Sequence, residues 1–238
     1  MWEAQYAEMT IVSMGISPLF EGEEGESLLS ADKSDRPDIE IPKCQIDFLK
    51  ELRAKRNKPI IVVVNGGSPL NLAEVAEAAD AVLFAWYPGE EGGNAIADLI
   101  FGVASPSGKL PVTFPTSVSQ LPKYADYSMK GRTYRYMEQE PQYPFGFGLS
   151  YSKFEFSNIK ADKTSIAAGD SIMVSATLTN KGSFDADEVA QLYTTQTIDG
   201  LECPFYSLKS FQRIHLKAGE SKEVSFRVKS AMLEIVNN

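Results

Sequence analysis

Residues 85–115 read AWYPGEEGGNAIADLIFGVASPSGKLPVTFP, and the order of structures they encode organises everything around them. An apolar strand, Asp80 to Trp86, runs into the Pro88-Gly89 turn. A helix is predicted from about Glu91 to Phe101, followed by the Ser-Pro-Ser-Gly turn at 105–108 and an extended piece, Lys109–Phe114. Upstream the same alternation recurs. Met9–Gly15 (MTIVSMG) reads as a buried strand, preceded by a fragment of helix, Trp2–Ala7. Lys43–Lys55 is helical, because Ile46, Leu49 and Leu52 recur at helical spacing after the Pro42 start signal. Pro59–Asn65 (PIIVVVN) is a continuous β-branched run, as expected of a strand covered on both faces in a parallel sheet. The turn Asn65-Gly66-Gly67-Ser68-Pro69 leads into a helix at Leu70–Ala78, with Ser68 as its cap and Pro69 at its first position. Ala81–Trp86 is the third buried strand. Strands and helices in strict alternation make a doubly wound α/β layer.

From Phe154 the texture changes. Phe154–Ala161, Ser171–Asn180, Glu188–Thr195, Tyr206–Leu216 and Lys222–Val228 are β-rich and separated by turn signals such as Ala-Gly-Asp and Asn-Lys-Gly. Apolar and polar residues alternate in IMVSATLT from Ile172, and regularly spaced strands of this kind predict a β-sandwich. Between the two regions, Tyr124–Tyr151 is rich in Pro, Tyr and Gly and has neither period over most of its length. Arg132 and Arg135 flank Tyr134 there and read as hydrogen-bonding residues of the joint.

The 238 residues carry a net charge of −9, which argues against nucleic acid as a partner, since phosphate binding needs clustered Lys and Arg. No apolar run reaches the roughly 18 residues of a membrane span. Cys44 and Cys203 are far apart, so neither a disulfide framework nor a cysteine metal site is expected. No metal-ligand spacing occurs, and no cofactor is called for. Gly89, Gly92 and Gly93 lack the following Lys and the G-x-G-x-x-G pattern of a phosphate cradle, so they read as close helix–strand packing. The lone histidine, His215, reads as a surface strand residue without a role. No basic segment followed by an apolar stretch opens the chain, so no signal peptide is read.

The 85–115 block, together with GRTYRYMEQEPQYPFGFGLSYSKF (Gly131–Phe154), resembles glycoside hydrolase family 3, the β-glucosidase and β-xylosidase family. EVAQLYTTQ from Glu188 and LKSFQRIHLKAGESKEVSF from Leu208 are similar to that family's fibronectin-III-like module. The resemblance implies a partial, N-terminally truncated α/β three-layer sandwich over residues 1–125. It implies a linker over 126–152 and, over 153–238, an immunoglobulin-type, fibronectin-III-like all-β sandwich lacking its closing strand. In the family a (β/α)8 barrel lies upstream, so the missing partner of this chain is expected to be that barrel. A periplasmic or secreted parent is compatible with the resemblance.

Chemistry is expected in GISPLFEGEEGESLLSADKSDRPDIEIP, Gly15–Pro42. Retaining glycosidases need two carboxyl groups about 5–5.5 Å apart, one attacking the anomeric carbon and one protonating the leaving oxygen. Glu21, Glu23, Glu24 and Glu26 crowd a loop just beyond the carboxyl end of the first strand, where open α/β sheets bind ligands. Family members carry the acid/base glutamate in an E-(G/A)-E pattern before Asp-Arg. Here Glu21-Gly22-Glu23 and Asp35-Arg36 match across a longer insertion, which selects Glu23, with Glu21 and Glu24 as alternatives. A solvated acidic loop is the competing reading of the residues alone. The family's nucleophile is a barrel aspartate that this chain does not supply. Trp86, ending a strand on the ligand-facing edge, could stack its indole on a sugar ring, although packing beneath the Pro88 turn is the plainer role. The expected function is therefore part of an exo-acting β-glycosidase that removes terminal xylose or glucose from an oligosaccharide or glycoside. The alternative is a non-catalytic carbohydrate-binding or scaffolding module.

Overall fold

The computed structural model describes residues 4, 6–22 and 35–235. The chain divides into two compact units. The first comprises Met1–Ala97, Thr113–Tyr127 and Gln139–Pro144; the second comprises Asp98–Val112, Ser128–Glu138 and Phe145–Asn238.

In the first unit, strand β1 (Thr10–Gly15) is followed by the short helix α1 (Pro18–Glu21) and by α2 (Lys43–Ala54). Then come β2 (Ile60–Asn65), α3 (Ala73–Ala78), β3 (Ala81–Trp86) and α4 (Gly92–Ile100), whose last turn, from Asp98, is counted in the second unit. The strands form a parallel sheet in the order β1-β2-β3. Central β2 is covered on both faces: Ile60, Val62 and Val64 are fully buried and Val63 nearly so. Its unbroken β-branched run has this cause, since successive side chains point to opposite faces and both faces are apolar. The outer strands differ from expectation. Ala81 is exposed and the rest of β3 only half-buried, and Ile11 on β1 is exposed. Among the described residues each outer strand pairs only with β2, so an apolar sequence does not bring full burial.

Helix α2 presents Ile46, Leu49 and Leu52 to the core, with Leu49 fully buried. Burying a leucine contributes about 1.5–3 kcal/mol. Gln45, on the same helix, accepts a hydrogen bond from Gly15 N (2.7 Å) and donates Nε2 to Gly15 O (2.8 Å), pinning the end of β1. Gly15 has φ +127°, and a Cβ there would lie 2.0 Å from Asn65 O, so only glycine fits.

Helix α3 corrects the sequence reading. It starts at Ala73, so Ser68 does not cap it and Pro69 is not its first residue. Asn71 Oδ1 accepts from Ala73 N instead (3.1 Å), and Ser68 is engaged elsewhere. Residues 2, 3 and 5 of the helix expected over 2–7 lie outside the described residues.

The second unit contains α5 (Thr133–Tyr136) and the strands β4 (Phe154–Ala161), β5 (Ser171–Asn180), β6 (Ala186–Thr194), β7 (Ser207–Leu216) and β8 (Ser221–Lys229). They form two antiparallel sheets, β4-β5-β8 and β6-β7. The core is Leu178, Ala190, Leu216, Val224 and Phe226, flanked by Phe154, Leu192 and Ile214. A fully buried Asn180 donates Nδ2 to Phe184 O (2.8 Å) and Leu216 O (3.2 Å). Its Oδ1 accepts from Ser152 Oγ (2.5 Å) and Gly182 N (3.0 Å), so the buried amide is fully satisfied. Tyr134 stacks on Phe145 with ring centres 4.1 Å apart, and Tyr193 and Tyr206 meet Tyr134 at tilted or edge-on angles. His215 is exposed on β7 and bonds Asp187 Oδ1 at 2.7 Å. Arg132 donates Nε to Ser128 O, and the Arg135 guanidinium lies 5.9 Å from the Tyr136 ring centre. Both cysteines are free.

Candidate functional site

The carboxyl ends of the three parallel strands deliver their following residues to one place. After β1, Ile16 N donates to Asn65 O (2.9 Å), and the chain turns through α1 to Glu21. After β2, Gly66 N donates to Trp86 O (3.3 Å), which seats the Gly66-Gly67-Ser68 turn beside the end of β3. The register between these strands shifts at Val64/Asn65, so Asn65 pairs with Trp86. Trp86 takes φ +54°, unusual for a bulky side chain. Such a residue costs on the order of 1–3 kcal/mol and persists only where its surroundings hold it. Here the ring is held edge-on to Phe84 (4.7 Å) and Phe114 (6.1 Å), and Phe114 is fully buried. The same backbone twist carries Tyr87 toward the β2 turn.

Glu21 is the hub of this edge. Its Oε1 accepts hydrogen bonds from Gly67 N (3.1 Å) and Ser68 Oγ (3.0 Å), and its Oε2 accepts from Tyr87 OH (2.9 Å). Arg36 Nη2 donates to Ser68 Oγ (2.8 Å) and Pro69 O (3.3 Å), while Arg36 N donates to Glu21 O (3.1 Å). The last bond joins the two ends of the 22–35 segment at one point. A Cβ on Gly67 would lie 2.8 Å from Tyr87 Cε2 and 3.0 Å from Glu21 Oε2, so the absence of a side chain there admits both groups.

The electrostatics follow from this packing. Burial, then the hydrogen bond to Glu21 and its charge, pushes the Tyr87 hydroxyl above its ordinary value. Burial lowers Arg36, with the negative charges of Glu21 and Asp38 opposing that shift. The guanidinium stays cationic across the working range, as arginine does in proteins.

Of the sequence-predicted residues, Glu21 is placed here, as a fixed acceptor. Glu23 and Glu24 lie outside the described residues. Trp86 lies at the same edge, half-buried, with its ring packed on aromatic neighbours. Gly92 approaches Pro88 so closely that a Cβ would sit 2.5 Å from it, which accounts for a glycine at the start of α4. Sequence reasoning gave no role to Gly67 or Tyr87 and cast Ser68 as a helix cap. The available signal was the double glycine after a buried strand, which marks a close approach by another group. Among the described residues no group of three or more His, Cys, Asp or Glu could hold a metal ion, and no helix is long and apolar enough to cross a membrane.

Comparison with known proteins bears on this arrangement. Residues 2–151 match the Glycosyl hydrolase family 3 C-terminal domain, and residues 188–238 match the Fibronectin type III-like domain. The chain is 43% identical over 223 residues to a xylan 1,4-beta-xylosidase of Xylanibacter ruminicola, covering 92% of this chain and 25% of that protein. It is 38% identical to a periplasmic beta-glucosidase of Salmonella typhimurium, covering 90% of this chain and 29% of that one. The crystal structure of a beta-glucosidase from Bifidobacterium adolescentis superposes with a TM-score of 0.81 at 31% identity, over 96% of this chain and 34% of that one. The chain thus spans roughly a quarter to a third of the length of these relatives.

Proposed function

This chain belongs to glycoside hydrolase family 3, and from that premise we propose that it supplies the acid/base segment of a retaining exo-β-glycosidase acting on terminal β-linked xylose or glucose. Glu23 is the proton donor in this reading, with Glu21 and Glu24 as its alternatives, and the nucleophile comes from a barrel domain outside this chain. The observation that supports it is the anchoring of the acidic segment. Both its ends, at Glu21 and Arg36, are tied to the carboxyl edge of a parallel sheet, where ligands of open α/β sheets bind. The relatives named above are a xylosidase and glucosidases, which supports xylose or glucose as the glycone. Trp86, on the same edge, borders the sugar pocket. Residues 1–125 and 153–238 act as separate domains joined by 126–152.

Protonation of the leaving oxygen matters most when the leaving group is a poor one. In the full-length enzyme, Glu23→Gln therefore slows hydrolysis of an unactivated xylo- or gluco-oligosaccharide by roughly a hundred-fold or more. A dinitrophenyl glycoside, whose leaving group departs unprotonated, is slowed far less. Equal loss on both substrates would remove Glu23 from the role, and the same signature in Glu24→Gln alone would transfer the role there.

A further inference from the structure

Beside the acidic segment sits a glutamate whose contacts are inconsistent with proton donation. We infer that Glu21 is a positioning residue, a hydrogen-bond post that fixes the base of the 22–35 segment against the ends of β2 and β3. The inference rests on the reading of that segment as the acid/base element.

The geometry leaves Glu21 little choice. Gly67 N–H can only donate, so Oε1 must accept from it. Ser68 Oγ accepts from Arg36 Nη2 through one of its two lone pairs, and since an arginine N–H cannot accept, the acceptor at hand for the Ser68 proton is the glutamate. The Ser68 proton is therefore directed at the same Oε1. A proton carried by Glu21 would have to sit on Oε2, where it would face the Tyr87 oxygen 2.9 Å away. Neither oxygen has a proton to offer a departing sugar. The backbone of the same residue adds to the post, since Glu21 O accepts from Arg36 N. One residue thereby joins the entry of the segment, its exit, the β2 turn and the residue after β3.

Two substitutions separate positioning from proton donation. Glutamine keeps the length of glutamate and one carbonyl oxygen for Gly67 and Ser68, and its amide can donate to the Tyr87 oxygen. It cannot act as an acid. Alanine removes everything. If Glu21 positions, Glu21→Ala lowers kcat by roughly ten- to a hundred-fold with KM little changed, as expected when a catalytic group is displaced by about an ångström. The loss falls mainly on unactivated glycosides, because the displaced group is the acid, and Glu21→Gln, which keeps the hydrogen bonds, recovers most of it. If Glu21→Gln is as damaging as Glu21→Ala on oligosaccharides while dinitrophenyl glycosides are spared, Glu21 is the proton donor and the inference is overturned.

A second measurement uses the 238-residue chain and needs no activity. Glu21→Ala and Tyr87→Phe should both speed amide exchange at Gly67 by roughly ten-fold, while Val62, at the centre of β2, exchanges as before. An unchanged Gly67 amide in Glu21→Ala would sink the post. The exchange result stands or falls independently of the proposed chemistry. Failure of Glu23→Gln and Glu24→Gln to alter leaving-group dependence would count against the proposed function alone.

Discussion

Glu21 lies 46 positions before Gly67 and 66 before Tyr87, so no local pattern joins these residues. In the sequence Glu21 is one member of an acidic run, equivalent to its neighbours. In the fold three donors converge on it. Ser68 shows the reverse: its position before Pro69 invites a capping role, and the structure directs its hydroxyl to Glu21 instead. Tyr193, in the sandwich unit, allows a test at this scale. Burial, followed by the neighbouring Tyr134 and Tyr206, pushes its hydroxyl up to about 12. In the unfolded chain a tyrosine ionises near pH 10. The fold therefore retains the Tyr193 proton where the unfolded chain has lost it, and that contribution is whole below about pH 10. It fades as pH rises from about 10 through about 12. Urea midpoints measured across this window should fall less steeply in Tyr193→Phe than in the parent chain. Identical slopes would show that Tyr193 titrates as an ordinary tyrosine.

At the scale of elements, periodicity and burial agree wherever an element has neighbours on the expected sides. Helix α2 has Ile46, Leu49 and Leu52 in register, and all three are buried. Strand β2 is apolar from Ile60 to Val64, and all of these but Ile61 are buried. Strand β3 has similar apolar content but is half-exposed, because β2 covers one of its edges and no strand among the described residues pairs with the other. Helix α3 starts only at Ala73: Leu72, at φ −105° and ψ 7°, stands at its cap, and distant residues hold the chain before it, Leu72 N donating to Gln142 Oε1 (3.0 Å) and Asn71 N to Ile39 O (2.7 Å). Leu49→Ala tests the packing that holds α2 on the sheet. Leu49 is fully buried, and the substitution should lower stability by about 2–5 kcal/mol, read from urea unfolding. A loss below about 1 kcal/mol would mean that the helix face collapses to fill the space.

For the whole molecule, the two units are built on different principles. One is a parallel layer whose strand ends bring Glu21, Gly67, Ser68 and Tyr87 together; the other is an antiparallel sandwich around Leu178, Leu216 and Phe226. The chain covers 25% and 29% of the two curated relatives described above. With the nucleophile proposed to lie on a barrel outside it, the 238-residue chain alone should release no xylose or glucose from an aryl β-glycoside. Turnover by the purified chain, abolished by Glu23→Gln, would place both carboxyl groups within these residues.

What the residues determined by themselves was the class of each unit and the family. Period 3.6 in Lys43–Ala54, an unbroken β-branched run at Ile60–Val64 and alternation in Ser171–Asn180 are consequences of local geometry, and local geometry is written in adjacent residues. The family came from contiguous blocks of sequence, which are likewise local. The tertiary structure alone decided that Glu21 is bound and which hydroxyls, those of Ser68 and Tyr87, bind it. A hydrogen bond depends on distances of about 3 Å between atoms, and those distances arise only when β1, β2 and β3 lie side by side and bring three separate turns to one edge.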